Sequence, residues 1–357
     1  MDQQQSKPIT RAPQRLYDLD NFRTYLTALV IYHHNAVPYG GSGGWKYKSQ
    51  FHTTESSPPL IAFNTINQTY FMGSFFLLSG YFSSTALRRK GTAGFLSMKF
   101  FKLGLPTLVF TLFGDPAQVA LLRLYNDQSV GWDALLNSWK SLRGVRGPVW
   151  YLALVLIFDT LYAFAPFITT YTSKFQFLPT FVINVTADFL IRLLYPVGSV
   201  FAPLNLQPAY LPQYIITYFL GASLSSSPNP PLTTSTRNNL IASSLLSAIT
   251  AISLLYLYPS SYTIESGKGG FNLLALLYAI WNESTGYLIG TLLLRLFRSR
   301  NLLRRRWANV SKHSYGAFLV HPIVCVGIQV WSDGWKANGV LKTVVLGTVG
   351  VIGSWGR

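Results

Sequence analysis

The sequence predicts an all-α fold, a polytopic transmembrane helix bundle of about ten spans. Three observations carry this. Apolar residues make up 49% of the 357 positions and charged residues 11%, against about 25% charged in an average soluble protein. Mean hydropathy is positive, at +0.27. Apolar runs of about 20 residues, the length a bilayer requires, recur along the chain. So few charges cannot cover a water-exposed surface, which excludes a soluble enzyme and a disordered chain.

The spans are expected at approximately 21–38, 66–86, 103–122, 148–167, 177–196, 210–226, 239–258, 271–294, 313–331 and 338–355. Residues 1–20 are polar, carry no cleavable signal pattern and read as a cytoplasmic N-terminal tail. Residues 21–357 read as one transmembrane domain. The first span opens near Phe22 and holds Arg23, His33 and His34. The second and third are rich in Phe and Leu, and the fourth contains WYLALVLIF. Asp188 and Arg192 interrupt the fifth, at the i, i+4 spacing of a helix salt bridge. The sixth is short. The eighth carries Glu283 between Asn282 and Ser284, and the ninth carries His321 before Pro322. Gly and Pro inside several spans are tolerable where neighbouring helices satisfy the backbone. Residues 39–65 read as a polar outer loop, 123–147 as a mixed-charge loop and 225–238 as a flexible inner connector. The abrupt SWGR ending suggests a truncated or alternatively ended product.

Charge sets the orientation. The chain has 29 Lys and Arg against 12 Asp and Glu, a net charge of +17. The basic residues cluster between apolar spans, which points to anionic lipid or an anionic ligand rather than to nucleic acid. Lys7, Arg11, Arg15, the 88–102 cluster and the 295–312 run fall on one side when the N-terminus is cytoplasmic, and an even span count returns the C-terminus there. The 123–147 loop is the exception. The expected location is the endoplasmic reticulum or another endomembrane, or the plasma membrane. With Cys325 as the single cysteine, no intrachain disulfide forms.

Ionisable residues inside spans are costly and therefore functional candidates. Arg23 and His34 are separated by ten residues; eleven helical steps of about 100° bring them near one face, about 16 Å apart. A cation at the entrance could hold an anionic ligand while the imidazole meets its reactive end. The bland alternative is that Arg23 anchors the helix at the lipid surface and His34 bonds a neighbour. Lys99 and Lys102, at i, i+3 beside Pro106, suit either phosphates or lipid head groups. Glu283 needs a partner; it could bind an acceptor hydroxyl, orient His34 or pair with a cation. His321 could bind substrate or pack helices. Asp159 and the Asp188–Arg192 pair read as structural, as do Tyr81, Trp150 and His33. No zinc-ligand spacing, Walker-type lysine loop or nucleophile elbow is present.

The first span, LDNFRTYLTALVIYHHNA, resembles that of the acyltransferase-3 family, integral membrane O-acyltransferases that use acyl-CoA. The resemblance continues in order through FFLLSGYFSSTALRRKG (75–91), FLSMKFFKLGLPTLVF (95–110), GPVWYLALVLIF (147–158), WNESTGYLIG (281–290) and SKHSYGAFLVHP (311–322). KLGLP and GPVWYL are closest to the fungal branch. The family's Arg-x-x-Arg pair appears here as Lys99 and Lys102, which keep the charge without the bidentate fork of arginine.

The resemblance implies acyl transfer from acyl-CoA, with acetyl-CoA the favoured co-substrate and no bound cofactor, to a hydroxyl of a small molecule, lipid or carbohydrate. Arg23, Lys99 and Lys102 would hold the coenzyme A phosphates. His34 would be the general base, with an acyl-histidine intermediate as the alternative route. Glu283 would join His34 in catalysis, and His321 would bind substrate. The partners implied are acyl-CoA, the hydroxyl acceptor and the lipid bilayer, with no nucleic acid. A proton-coupled transporter or exporter of a small metabolite would use the same buried His, Glu and Arg.

Overall fold

A computed structural model describes residues 16–51, 56–141, 144–166, 177–225 and 233–356. The described residues are helical throughout, apart from loops and one isolated bridge between Phe201 and Leu206. Among them, five helical stretches are long and apolar enough to cross a membrane: Pro58–Tyr125, Gly147–Phe164, Phe177–Leu194, Thr234–Leu257 and Val310–Trp331. Gly339–Trp355 is shorter and apolar. Large exposed apolar side chains such as Leu246, Ile252 and Leu194 fit a lipid-facing exterior. The chain is an integral membrane protein. Lys7, Arg11, Arg15 and Arg143, and most of the 1–20 tail, lie outside the described residues, as does part of the 225–238 connector.

Helix α1 (Tyr17–Ala36) is the central element. It packs on α2 (Pro58–Lys99), on α11 (Leu273–Ser299), on α13 (Val310–Trp331) and on α14 (Gly339–Trp355). Burial follows from this position: Leu19, Phe22, Leu26 and Ile31 are all inaccessible. The near end of α1 is tied down by Asn21 Nδ2, which donates to the Leu303 and Arg305 carbonyls at 2.8 Å. Arg298 pairs there with Asp18 at 3.6 Å.

The expected outer loop is shorter than 39–65, because α2 begins at Pro58. Proline has no N–H to leave unpaired and its fixed φ suits the first turn. The expected break between the second and third spans is a hairpin at Gly91, with φ 66° and ψ 171°, a conformation essentially restricted to glycine. Ser83 and Lys99 would sit about 24 Å apart along a straight helix. They are hydrogen-bonded at 2.7 Å, so the chain doubles back.

Beyond the hairpin the helix is irregular. Two π-helical segments, Phe100–Gly104 and Phe110–Gly114, flank α3 (Leu105–Val109) and lead into α4 (Asp115–Tyr125). The 123–147 segment is not all loop, since α5 (Trp132–Lys140) lies in it. Next come α6 (Trp150–Phe164), α7 (Phe177–Leu194), α8 (Leu211–Leu224), α9 (Thr234–Leu257) and α10 (Ile264–Lys268). Helix α12 (Asn301–Arg304) is a short turn before α13.

Helices α2 and α8 cross backbone to backbone. A Cβ on Gly80 would lie 1.9 Å from the Tyr218 carbonyl oxygen, and one on Gly221 would lie 1.9 Å from that of Leu77. Small residues permit such crossings in membranes. An aromatic core fills in beside them, with Phe76 stacked on Tyr214 at 4.7 Å and flanked by Trp150, Tyr151 and Phe158.

Candidate active site

The two ends of α1 carry different chemistry. At the near end, three basic residues, two of them distant in sequence, meet consecutive residues of one α2 turn. The Arg23 guanidinium lies 5.7 Å from the Phe82 ring centroid. Lys99 donates to Ser83, and Arg88 donates to Ser84 at 2.7 Å and to Ser225 at 3.0 Å. Arg23 is half-buried and pairs with Asp20 at 2.9 Å, while its Nε is buried without a partner. Lys102 is exposed in the first π-segment, and its carbonyl accepts from the Tyr315 hydroxyl.

Lys99 is placed differently from its sequence expectation. Its ammonium is mostly buried and lies 2.8 Å from Asp159, a fully buried carboxylate on α6 that also accepts from the Tyr218 hydroxyl at 2.5 Å. The charge is thus neutralised inside the bundle, where an unpaired carboxylate would be costly. The i, i+3 spacing to Lys102 does not make one phosphate-facing pair, because Lys99 is mostly buried on Asp159 while Lys102, in the π-segment that follows, is exposed.

At the far end, His34 stacks on two rings. One face stacks on Trp45, with centroids 4.2 Å apart and planes 20° apart; His321 stacks at 5.5 Å and 8°. Nδ1 of His34 and Nε2 of His321 are both buried without hydrogen-bond partners. Nδ1 of His321 sits 2.6 Å from the Phe318 carbonyl, which can only accept, so this nitrogen carries the proton and leaves Nε2 as a lone pair. His33 faces elsewhere and stacks on Phe71 at 5.1 Å. Sequence spacing could not pair His34 with His321, because the two lie on different helices.

Glu283 is also fully buried, but among other partners. It accepts from Asn184, from Gln213 at 3.1 Å and from Asn282 at 2.7 Å. It lies against the Asp188 carboxyl, beside the Asp188–Arg192 pair at 3.0 Å. His34 is not among its partners. Gln213 also donates to the Thr69 carbonyl of α2, whereas His33 packs on Phe71. The polar partners of Glu283 and the rings stacked on His34 have no residue in common. Of the expected site residues, the fold brings His34 and His321 together and places Arg23 on the helix of His34; Glu283 stands apart from them.

Sequence reasoning missed the loop that covers His34. Trp45 donates its indole N–H to Gln329 Oε1 at 2.7 Å, and Gln329 in turn donates to Asn35 Oδ1 at 3.0 Å. Further along the loop, Tyr47, Ser49 and the Gln50 amide all donate to Asp333, and Tyr125 joins them. Burial would raise the Asp333 carboxyl, but the donors Ser49, Tyr125 and Tyr47 outweigh it and hold the pKa below its ordinary value. Burial, followed by the bond to Asp333, pushes the Tyr47 phenol up. Lys46 pairs with Asp115. The only signal in the sequence was GGSGG followed by Trp, Lys and Tyr, which reads as an ordinary loop.

The whole arrangement lies within one domain. The acyltransferase-3 family, described as an acyltransferase domain, matches residues 16–356, and the chain belongs to that family. It is also similar to glucans biosynthesis protein C of Escherichia coli K12 and of Shigella dysenteriae serotype 1, at 27% identity over 151 residues in each case. That stretch is 42% of this chain and 38% of each relative, so the match spans well under half of the curated relatives' length. No solved structure matches the chain.

Proposed function

We propose that the protein is a membrane-embedded O-acyltransferase that moves an acyl group, acetyl in the simplest case, from acyl-CoA to a hydroxyl. The observation that carries the reading is the pairing on α1: half-buried Arg23 at one end, and at the other His34 stacked on His321 with a buried, unpartnered ring nitrogen. The two lie about 16 Å apart along the helix. Coenzyme A has its phosphates at one end of an extended arm and its thioester at the other, and this separation suits it. Arg23 and the exposed Lys102 are assigned to the phosphates.

His34 is the general base. It takes the proton of the acceptor hydroxyl as that oxygen attacks the thioester carbonyl carbon. The carbon–sulfur bond breaks, the coenzyme A thiolate leaves, and the imidazolium returns the proton to sulfur. His321, with its ring fixed by the Phe318 carbonyl, holds the His34 plane and lines the acceptor side. A carbohydrate hydroxyl is the favoured acceptor class, in line with the name of the glucan-related relatives. Glu283 is assigned to the α7–α8–α11 cluster rather than to the reacting atoms. The cytoplasmic N-terminus and the ten-span count belong to this proposal.

The test is saturable retention of labelled acetyl-CoA by the purified protein in detergent, beside an Arg23→Ala/Lys102→Ala variant. Retention that the variant loses supports the donor assignment. Equal retention by both overturns it. Uptake or efflux of a metabolite by vesicles, with no release of free coenzyme A, would favour a transporter instead.

A further inference from the structure

The α7–α8–α11 cluster holds charges that acyl transfer does not use. Asp188, Arg192 and Glu283 are all wholly inaccessible. Fully ionised, two carboxylates against one guanidinium would seal a net charge of −1 inside the bundle. An uncompensated buried charge is costly, the more so within a membrane. The titratable groups that face the three come from few elements. Helix α11 adds Tyr278 and Tyr287, and α8 with the turn before it adds Tyr214 and Tyr210. Helix α2 contributes Thr69 and α9 contributes Ser244, neither of which carries charge. Lys268 of α10 lies at the surface and pairs with Glu265 at 2.7 Å. Arg192 is therefore the one cation of the cluster among the described residues.

Hydrogen bonding distinguishes the two carboxyls. Glu283 accepts from three side-chain amides, those of Asn184, Gln213 and Asn282. Such a set of N–H donors stabilises an anion. Asp188 accepts from Arg192 on Oδ2 at 3.0 Å, and its Oδ1 is buried with no donor. The two carboxyls nevertheless lie in hydrogen-bond contact with each other. Ionised carboxylates can only accept, so this contact requires a proton.

We propose that Asp188 and Glu283 form a proton-binding site, in which a single proton seated on Asp188 is donated to Glu283 and joins α7 to α11. With that proton the cluster is neutral and the contact between the carboxyls is a hydrogen bond. Arg192 stays on Asp188 Oδ2, its guanidinium 5.5 Å from the Tyr210 ring centroid and 5.0 Å from that of Tyr278. Because Asp188 and Glu283 are both sealed from solvent, the proton exchanges only when α7 parts from α11. The site makes the packing of α7 depend on pH. An unfolded carboxyl ionises near about pH 4. Above that, the folded protein holds one proton more than the unfolded chain, so its stability falls as pH rises. The site is separate from acyl transfer, whose own proton moves from the acceptor hydroxyl through His34 to sulfur.

The experiment is infrared spectroscopy of the full-length protein at neutral pH, in a detergent without ester groups. A protonated carboxylic acid has a C=O stretch separate from the carboxylate and amide bands. The other buried carboxyls among the described residues, Asp20, Asp115, Asp159 and Asp333, each face a cation or several donors, so no such band is expected from them. Wild type is expected to show the band, and Asp188→Asn to lose it. In that variant the amide N–H stands where the proton was, so shape and neutrality are kept and Glu283 remains an anion beside Arg192. Glu283→Gln should lose the band too, but its amide would meet three N–H donors, and Asp188→Asn decides if it does not fold. Wild type without the band overturns the site, and so does a band that persists at full strength in Asp188→Asn. Thermal unfolding between about pH 6 and pH 9 gives a second reading. Asp188→Asn should gain on wild type as pH rises, by about tenfold in the folding equilibrium per pH unit while the folded pair keeps its proton. Parallel pH profiles for the two proteins overturn the proposal.

Discussion

Lys99 and Lys102 illustrate how burial separates two residues of like charge. Lys99 neutralises Asp159 inside the bundle, while Lys102 is exposed. Removing one partner of a buried pair strands the other charge, at a cost of about 3–5 kcal/mol. Lys99→Ala is therefore expected to lower the melting temperature strongly, and Lys102→Ala to leave it near wild type while weakening acetyl-CoA retention. Thermal unfolding and binding measured on the two variants check this. Asp333 offers a second residue-scale outcome. Its carboxyl is held below the ordinary value in the folded protein, so the stability it contributes is present above the unfolded carboxylate pKa and is lost as pH falls through the lower folded value. The difference in melting temperature between wild type and Asp333→Asn should be present at neutral pH and shrink below about pH 4.

At the scale of elements, two glycine sites decide whether the near end assembles. Gly91 turns the hairpin that brings Lys99 to Ser83. No neighbour crowds a Cβ there, so Gly91→Ala costs only backbone strain, about 1–3 kcal/mol. Gly221→Val is a different case, because the side chain would meet the α2 backbone itself. We expect Gly91→Ala to fold with a lowered melting temperature and Gly221→Val to give little monodisperse protein on size-exclusion chromatography. The sequence was informative about elements wherever a single helix sufficed. Arg23 and His34 share a face because the helical period is fixed, and Asp188 meets Arg192 for the same reason. It was less informative where irregular backbone intervenes. The π-segment that begins between buried Lys99 and exposed Lys102 leaves no mark on an apolar pattern, and the start of α2 at Pro58 lay hidden in a polar stretch.

At the scale of the whole molecule, the fold joins a basic near end to a histidine pair at the far end through one buried helix. The all-helical, apolar character and the family were legible in composition and in the order of six short motifs. Contacts between distant segments were not: His34 with His321, Trp45 with His34, and Glu283 with the α7 and α8 polar residues rather than with the histidines. Each depends on how helices pack, which periodicity within one helix does not encode. The central claim is that His34 is the base of an acyl transfer. It is tested most directly by supplying purified protein with labelled acetyl-CoA and a carbohydrate and lipid extract as acceptor source, and by following label transfer and free coenzyme A in wild type and His34→Ala. The account predicts that the wild type transfers label, and that the alanine variant retains acetyl-CoA yet transfers none. An alanine variant that turns over at the wild-type rate would contradict it.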